Sequence, residues 1–262
     1  MDIQNMLMCG GSALVGAGIL KGPVETLNEF WYIHFGKNIH QEAEILKAKA
    51  EKNKQLFGEN IITEVKNIPE ENLKEPKTNI IGPAMEASKY YVEEPELRSM
   101  FAKLIASSMD KTKDAIIHSS YVEIIKQMSP LYANNLICIY NSHRNQAPIC
   151  KYNLMFTNHT NLNLYTNIFL SNPSCSDQNS LSPSLSNLER LGLIKMDYSQ
   201  WISNEEYYKD FYNTKEYFES ERTLEDYKKT NLPNDLVADK IDTQKGIADL
   251  TPFGKNFVRT CM

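Results

Sequence analysis

The stretch Glu93–Asp110, EEPELRSMFAKLIASSMD, constrains this chain most. Leu97, Phe101, Leu104, Ile105 and Ser108 recur at i, i+4, i+7, i+8 and i+11, one stripe on a helix. Pro95 suits the first helical turn, where a missing N–H removes no bond. Glu93, Glu94 and Glu96 surround that N-terminus, where the helix dipole favours negative charge. Asp110 lies about 20 Å further along the axis, at about 1.5 Å per residue. These acids therefore cannot gather into one pocket within the helix. The segment reads as a packing element with charged ends, not as a catalytic site.

Helical spacing continues on both sides. Pro23 follows Gly22 and opens a helix with Val24, Leu27, Phe30, Trp31, His34 and Phe35 on one face. A second helix is predicted over Ile39–Phe57, with Glu44/Lys47 and Lys47/Glu51 on a solvated side. Gly58–Thr78 mixes Pro, Asn, Lys and Glu and reads as a linker or a loosely packed strand around Ile61–Val65. A short helix is predicted after Pro83. Ser120-Tyr-Val-Glu123 has the spacing of a capping box. Ser129-Pro130 starts another helix, with Ala133, Leu136, Ile137 and Tyr140 on its apolar side. Residues 80–143 thus predict a compact helical bundle with short connections.

The period then changes to two. Tyr152, Leu154 and Phe156 alternate with Lys151, Asn153 and Met155, and a second run follows around Leu162–Leu170. The two read as strands or a hairpin, although the second also admits a helix. Ser182-Pro183 begins a helix through Leu185, Leu188 and Leu191 that stops at Gly192 and passes into LIKMDY. A short strand, Ile247–Leu250, precedes a helix capped by Thr251. Helix, strand, return strand and LTPFGKNF resemble a winged helix-turn-helix. The connection between the two strands departs from a short wing. From Asn204 to Thr230 it holds eight acids and five bases, and it predicts a helical insertion. Its aromatics, Trp201, Tyr207, Tyr208, Phe211, Tyr212, Tyr217 and Phe218, suit either an interface or the insertion's own core.

Ile3–Leu20 carries no charge and is about as long as the shortest membrane span. Gln4, Asn5, Ser12 and the glycines dilute its hydrophobicity. Small residues recur four apart at Ser12/Gly16, Ala13/Ala17 and Gly18/Gly22, a spacing that lets helices approach closely. A buried or oligomer-forming segment and a conditional membrane contact both fit, with Gly10, Gly11, Gly16 and Gly18 as the candidate contacts. No Lys or Arg precedes it, which argues against a signal peptide. The net charge is −5, so bulk composition gives no basic surplus for gripping phosphates. Five cysteines, an odd number without CxxC spacing, point to reduced thiols. The expected location is the cytoplasm, with membrane association on activation.

No phosphate loop, GxGxxG, GxSxG or HExxH motif occurs. His34 and His40 are six apart, where a helical metal pair needs three or four. His118 reads as a loop residue. Cys138 reads as core, and Cys150 has His143 near in sequence but no third group. No catalytic, cofactor-binding or metal-binding residue is assigned, and the chain is not expected to be an enzyme.

YYVEEPELRSMFAKLIASSMD, SSYVEIIKQMSP and LERLGLI…LTPFGKNFV together resemble the abortive infection alpha (Abi-alpha) family of prokaryotic proteins, over roughly residues 80–262. The resemblance implies phage defence, in which an infected cell stops supporting phage growth. It carries over no catalytic residue. The expected fold is mainly α with a small β component, an N-terminal helical bundle plus a C-terminal winged-helix-like domain. The expected divisions are 1–78, a glycine-rich segment, helices and linker; 79–145, a helical core; and 146–262, the winged-helix-like domain with an insertion at about 199–245. The expected function is non-enzymatic antiviral defence through contacts with a protein partner or phage component, self-association, or conditional membrane contact. The alternative is a winged-helix regulator of a defence or mobile element that reads DNA through Ser184, Asn187 and Arg190. Nucleic acid enters only in that alternative, because a single arginine is a poor reader of phosphates and bases.

Overall fold

A computed structural model describes residues 44–230 and 236–262, with side chains from Glu51 onward. The described residues up to Pro130, together with Asn256–Met262, form one compact unit, and Leu131–Lys255 form a second.

The first unit is built on α1 (Glu44–Lys66), α2 (Thr78–Ser88), α3 (Pro95–Ser108) and α4 (Tyr121–Ile125). Helix α3 is the hub, packed by α1, α2 and α4. Its stripe is buried as the spacing requires: Leu97, Phe101, Leu104, Ile105 and Ser108 are all in the core. Pro95 stands at its start. Tyr121 meets Phe257 edge-on at 5.2 Å. Asp110 caps the next turn, accepting from the Thr112 N–H at 2.8 Å and hydroxyl at 2.7 Å.

Three local expectations change here. Helix α1 does not end at Phe57 but runs through Gly58 to Lys66. A mid-helix glycine costs about 1 kcal/mol relative to alanine, whereas burying a large apolar side chain gains about 1.5–3 kcal/mol. Phe57, Ile61, Ile62 and Val65 are all buried, so packing wins. Helix α2 starts at Thr78 and holds Pro83 inside it, rather than following it. The capping box does not close: Ser120 makes no side-chain cap bond, and its hydroxyl pairs with His118 Nδ1 at 2.7 Å.

The second unit comprises α5 (Pro130–Asn141), β1 (Gln146–Phe156), β2 (Asn161–Phe169), α6 (Gln178–Arg190), β3 (Ile194–Asp197), a 3-10 segment (Glu205–Asn213), α7 (Lys215–Lys229), β4 (Ala238–Leu250) and the start of α8 (Pro252–Cys261). The strands form one antiparallel sheet, ordered β2-β1-β4-β3 and curled into a half-barrel. β1 and β4 pair along their length, from Gln146↔Asp249 to Phe156↔Ala238. β1 and β2 form a hairpin whose turn is closed by Asn158, which accepts from the Thr160 N–H at 3.0 Å. Helix α6 packs on β2 and β3, and α7 on β4 and β1.

This architecture overturns the expected fold class. Among the described residues there is neither a clear N-terminal bundle nor a winged helix. The winged-helix reading took Ile247–Leu250 for a short return strand. That segment is the end of a thirteen-residue strand whose other nine residues, ADKIDTQKG, are mostly polar and carry almost no apolar alternation. Ala238 is buried, Asp239 and Lys240 are exposed and residues 241–245 are half-buried, and cross-strand pairing with β1 holds them in place. β3 is four residues long and lies at the sheet edge, so β3 and β4 are two members of a larger sheet, not a wing.

Candidate functional site

The insertion folds back on the sheet through tyrosines. Cys150 and Tyr152 of β1 pack in one cluster with Tyr208 and Phe211 of the insertion. The Tyr152 hydroxyl donates to the Phe211 carbonyl at 2.6 Å, and Tyr208 donates to the Gly246 carbonyl at 2.9 Å. Tyr208 and Phe211 are buried against Cys150, Tyr152 and Ile168. Burial pushes the Tyr152, Tyr198 and Tyr208 phenols and the Cys150 thiol up. Cys150 is therefore a neutral thiol at neutral pH, not a ready nucleophile. Tyr165 donates to Glu219 at 2.6 Å, and this bond raises its phenol to about 12.

Tyr217 is half-buried against the same cluster, and the other four aromatics singled out in the sequence face solvent. Trp201 is 57 % exposed, Phe218 48 %, Tyr207 44 % and Tyr212 42 %. The aromatic segment thus divides between its own core and a surface. Trp201 and Tyr207 line a cavity of about 400 Å³ with Asn204, His143, Arg144 and Gln146. Arg144 and Asn145, in the turn before β1, both take left-handed backbone conformations, with φ of 56° and 60°. Asparagine tolerates that region, whereas for arginine it costs about 1–2 kcal/mol. Asn145 holds the turn, its N–H donating to the Ser142 carbonyl at 2.8 Å and its amide to the Tyr140 carbonyl. A cation and an imidazole consequently border an open aromatic surface. The aromatic composition signals that surface in the sequence, but nothing in sequence marks His143 and Arg144 as its neighbours.

The residues singled out for DNA contact are not brought onto one face. Ser184 is fully buried, and its hydroxyl accepts from the Asn135 amide, which in turn accepts from Asn172 at 2.6 Å. Arg190 braces Asn187 at the surface, donating through Nε at 2.9 Å and Nη2 at 2.7 Å. Gly10, Gly11, Gly16, Gly18, His34, His40 and Cys9 lie outside the described residues. Cys138, Cys150, Cys175 and Cys261 are free thiols. Among the described residues no three His, Cys, Asp or Glu side chains are grouped to hold a metal ion, and no helix is long and apolar enough to cross a membrane.

The third sequence motif has a definite structural role. Gly192, at φ 73°, ends α6 in a Schellman turn, with Gly192 N–H on the Glu189 carbonyl and Leu193 N–H on the Leu188 carbonyl. Thr251 then caps α8, accepting from Gly254 N–H at 2.9 Å and donating to the Gly192 carbonyl at 2.7 Å. LERLGLI and LTPFG are two halves of one clasp. A sequence model described as abortive infection alpha matches residues 46–261. The chain belongs to the abortive infection alpha family. The match takes in α1 as well as the segments that carried the resemblance, and the family's name places the chain in abortive infection defence. No curated protein and no solved structure matches it.

Proposed function

We propose that this abortive infection alpha protein defends a prokaryotic cell against phage from the cytoplasm, by binding a protein partner rather than by catalysis. The observation that carries this reading is the exposed half of the insertion's aromatics, Trp201, Tyr207, Tyr212 and Phe218. Isolated apolar side chains at a surface need no explanation, but four large ones on one short segment do. Aromatics bury much area for little lost conformational freedom, and they dominate the energetics of protein interfaces. Arg144 and His143 beside Trp201 and Tyr207 add polar groups of the kind found at an interface rim. The partner is a phage component or a host protein altered by infection.

The double substitution Trp201→Ala, Tyr207→Ala tests this. Both side chains are exposed, so the fold should survive and the melting temperature should stay near wild type. Protection of a phage-challenged culture should be lost. A folded double variant that protects as well as wild type contradicts the reading. Conditional membrane contact is a second mode, supported by the charge-free run Ile3–Leu20.

A further inference from the structure

The concavity beside Trp201 carries charge of one sign. Its lining includes Arg144 and His143 and no aspartate or glutamate. Arg144 is exposed, and its side chain makes no hydrogen bond or ion pair among the described residues. The acids next in sequence to the lining already have their own cations. Glu205 pairs with Lys245, and Glu206 with Lys209. Asp249, the register partner of Gln146 on β4, is not on the lining. The unmatched guanidinium is also fixed in place. Its backbone stands at φ 56°, and the next residue, Asn145, ties the turn to the Ser142 and Tyr140 carbonyls. A left-handed arginine is costly, and conformations of that cost cluster where a side chain has to be aimed.

A guanidinium stays charged at any working pH and presents its donors in a fork that matches a carboxylate. Trp201 and Tyr207 supply exposed aromatic area on the same lining. A ligand that satisfies both has a carboxylate within a residue of an apolar side chain. The volume, about 400 Å³, is at the small end of ligand sites, so it takes a few residues of an extended segment rather than a globular face. Charge argues against a nucleic acid here. The chain carries a net −5, and residues 204–230 hold eight acids to five bases. A backbone with a phosphate at every nucleotide would meet one arginine in negative surroundings. One or two carboxylates on an otherwise apolar segment match a single fork.

We infer that the partner enters this concavity with a short acidic segment, an Asp or Glu beside an apolar residue, its carboxylate on Arg144 and its apolar side chain on Trp201 and Tyr207. This rests on the protein-contact reading above and names the chemistry of the contact. The test is selection of a random bead-bound heptapeptide library on the full chain, followed by fluorescence-polarisation titration of the selected peptides. They should carry an acid next to a large apolar residue, bind saturably and weaken as salt rises. Arg144→Asn should weaken them about 10- to 100-fold, the worth of one charge-assisted bond. The same variant should melt at or above wild type, because asparagine enters the left-handed region more readily than arginine. Arg144→Glu should select basic peptides in place of acidic ones. No selected peptide, selection without acids, or binding unchanged in Arg144→Asn overturns the acidic segment. A short single-stranded DNA that binds instead, or self-association lost in the same variant, assigns the site to another occupant and also overturns it. Acid-free peptides that still need Trp201 and Tyr207 leave the aromatic contact standing, and failure of that contact is read separately, from a folded Trp201→Ala, Tyr207→Ala protein that still protects.

Discussion

Gly254→Ala is the substitution that most sharply separates packing from propensity in this fold. Gly254 sits in α8, where alanine should stabilise the helix by about 1 kcal/mol. A Cβ at that position would lie 2.0 Å from the Leu193 carbonyl oxygen and 2.9 Å from Leu250 Cδ2. Non-bonded atoms prefer separations of about 3.5 Å or more. The backbone oxygen cannot rotate away, so relief requires α8 to shift its first turn. That shift breaks the clasp: Thr251 N–H to the Leu193 carbonyl at 3.1 Å, Thr251 hydroxyl to the Gly192 carbonyl at 2.7 Å, and Gly254 N–H to Thr251 at 2.9 Å. Each bond is worth about 0.5–1.5 kcal/mol, and overpacking without a shift costs about 1–3 kcal/mol. After the propensity gain, the shift that breaks all three bonds costs a net of about 0.5–3.5 kcal/mol. Gly192→Ala is the control, since its Cβ would meet open space and only the left-handed φ of 73° is penalised, at about 1–2 kcal/mol. Urea denaturation followed by circular dichroism measures both. Gly254→Ala should have the lower midpoint. A Gly254→Ala protein as stable as wild type, or more stable than Gly192→Ala, would refute the clasp.

Four further outcomes follow from the same contacts. Asn135→Ala strands the buried partners Ser184 and Asn172, and each unpaired buried group costs about 1–3 kcal/mol, so the melting temperature should fall by several degrees, whereas no change would mean that the network is not formed. Cys150 and Cys261 are buried, and burial raises the Cys261 thiol to about 12; mass spectrometry should find both unmodified by iodoacetamide in native protein and modified in guanidinium. The Tyr165 phenol is raised from 10.0 to about 12 by Glu219, so the stability from this pair is complete below pH 10.0 and is lost as pH rises toward about 12; Tyr165→Phe should show a shallower alkaline decline in that window, and an identical decline would exclude the bond. Gly16→Asp should abolish defence in a folded protein if the glycine-rich segment meets lipid, and retained defence would remove membrane contact from the mechanism.

What the sequence made legible was local and amphipathic. The α3 stripe, the Gly192 stop and the Thr251 cap each rest on a few neighbouring residues, and each stands in the structure. Proline misled twice in the same way. Pro83 reads as preceding a helix and Pro183 as a first helical residue, yet α2 and α6 each begin five residues before the proline, at Thr78 and at Gln178. Asp177 caps α6 by accepting from the Asn179 N–H at 3.2 Å, a signal masked by the polar run around it. The sheet was illegible for a different reason. β4 is specified by pairing with β1, about ninety residues away in sequence, and its polar first half has no period of its own. The same distance hides the candidate site. His143 and Arg144 come beside Trp201 and Tyr207 only after the chain has folded.

The most direct test of the central claim is phage challenge of a bacterial culture expressing the chain, at low and high phage-to-cell ratio, against an empty vector and the Trp201→Ala, Tyr207→Ala variant. Abortive infection through a protein contact predicts survival at low ratio, early collapse without phage release at high ratio, and loss of both effects in the folded variant. Cultures that match the empty vector across a broad phage panel, or a variant that defends as well as wild type, would contradict it.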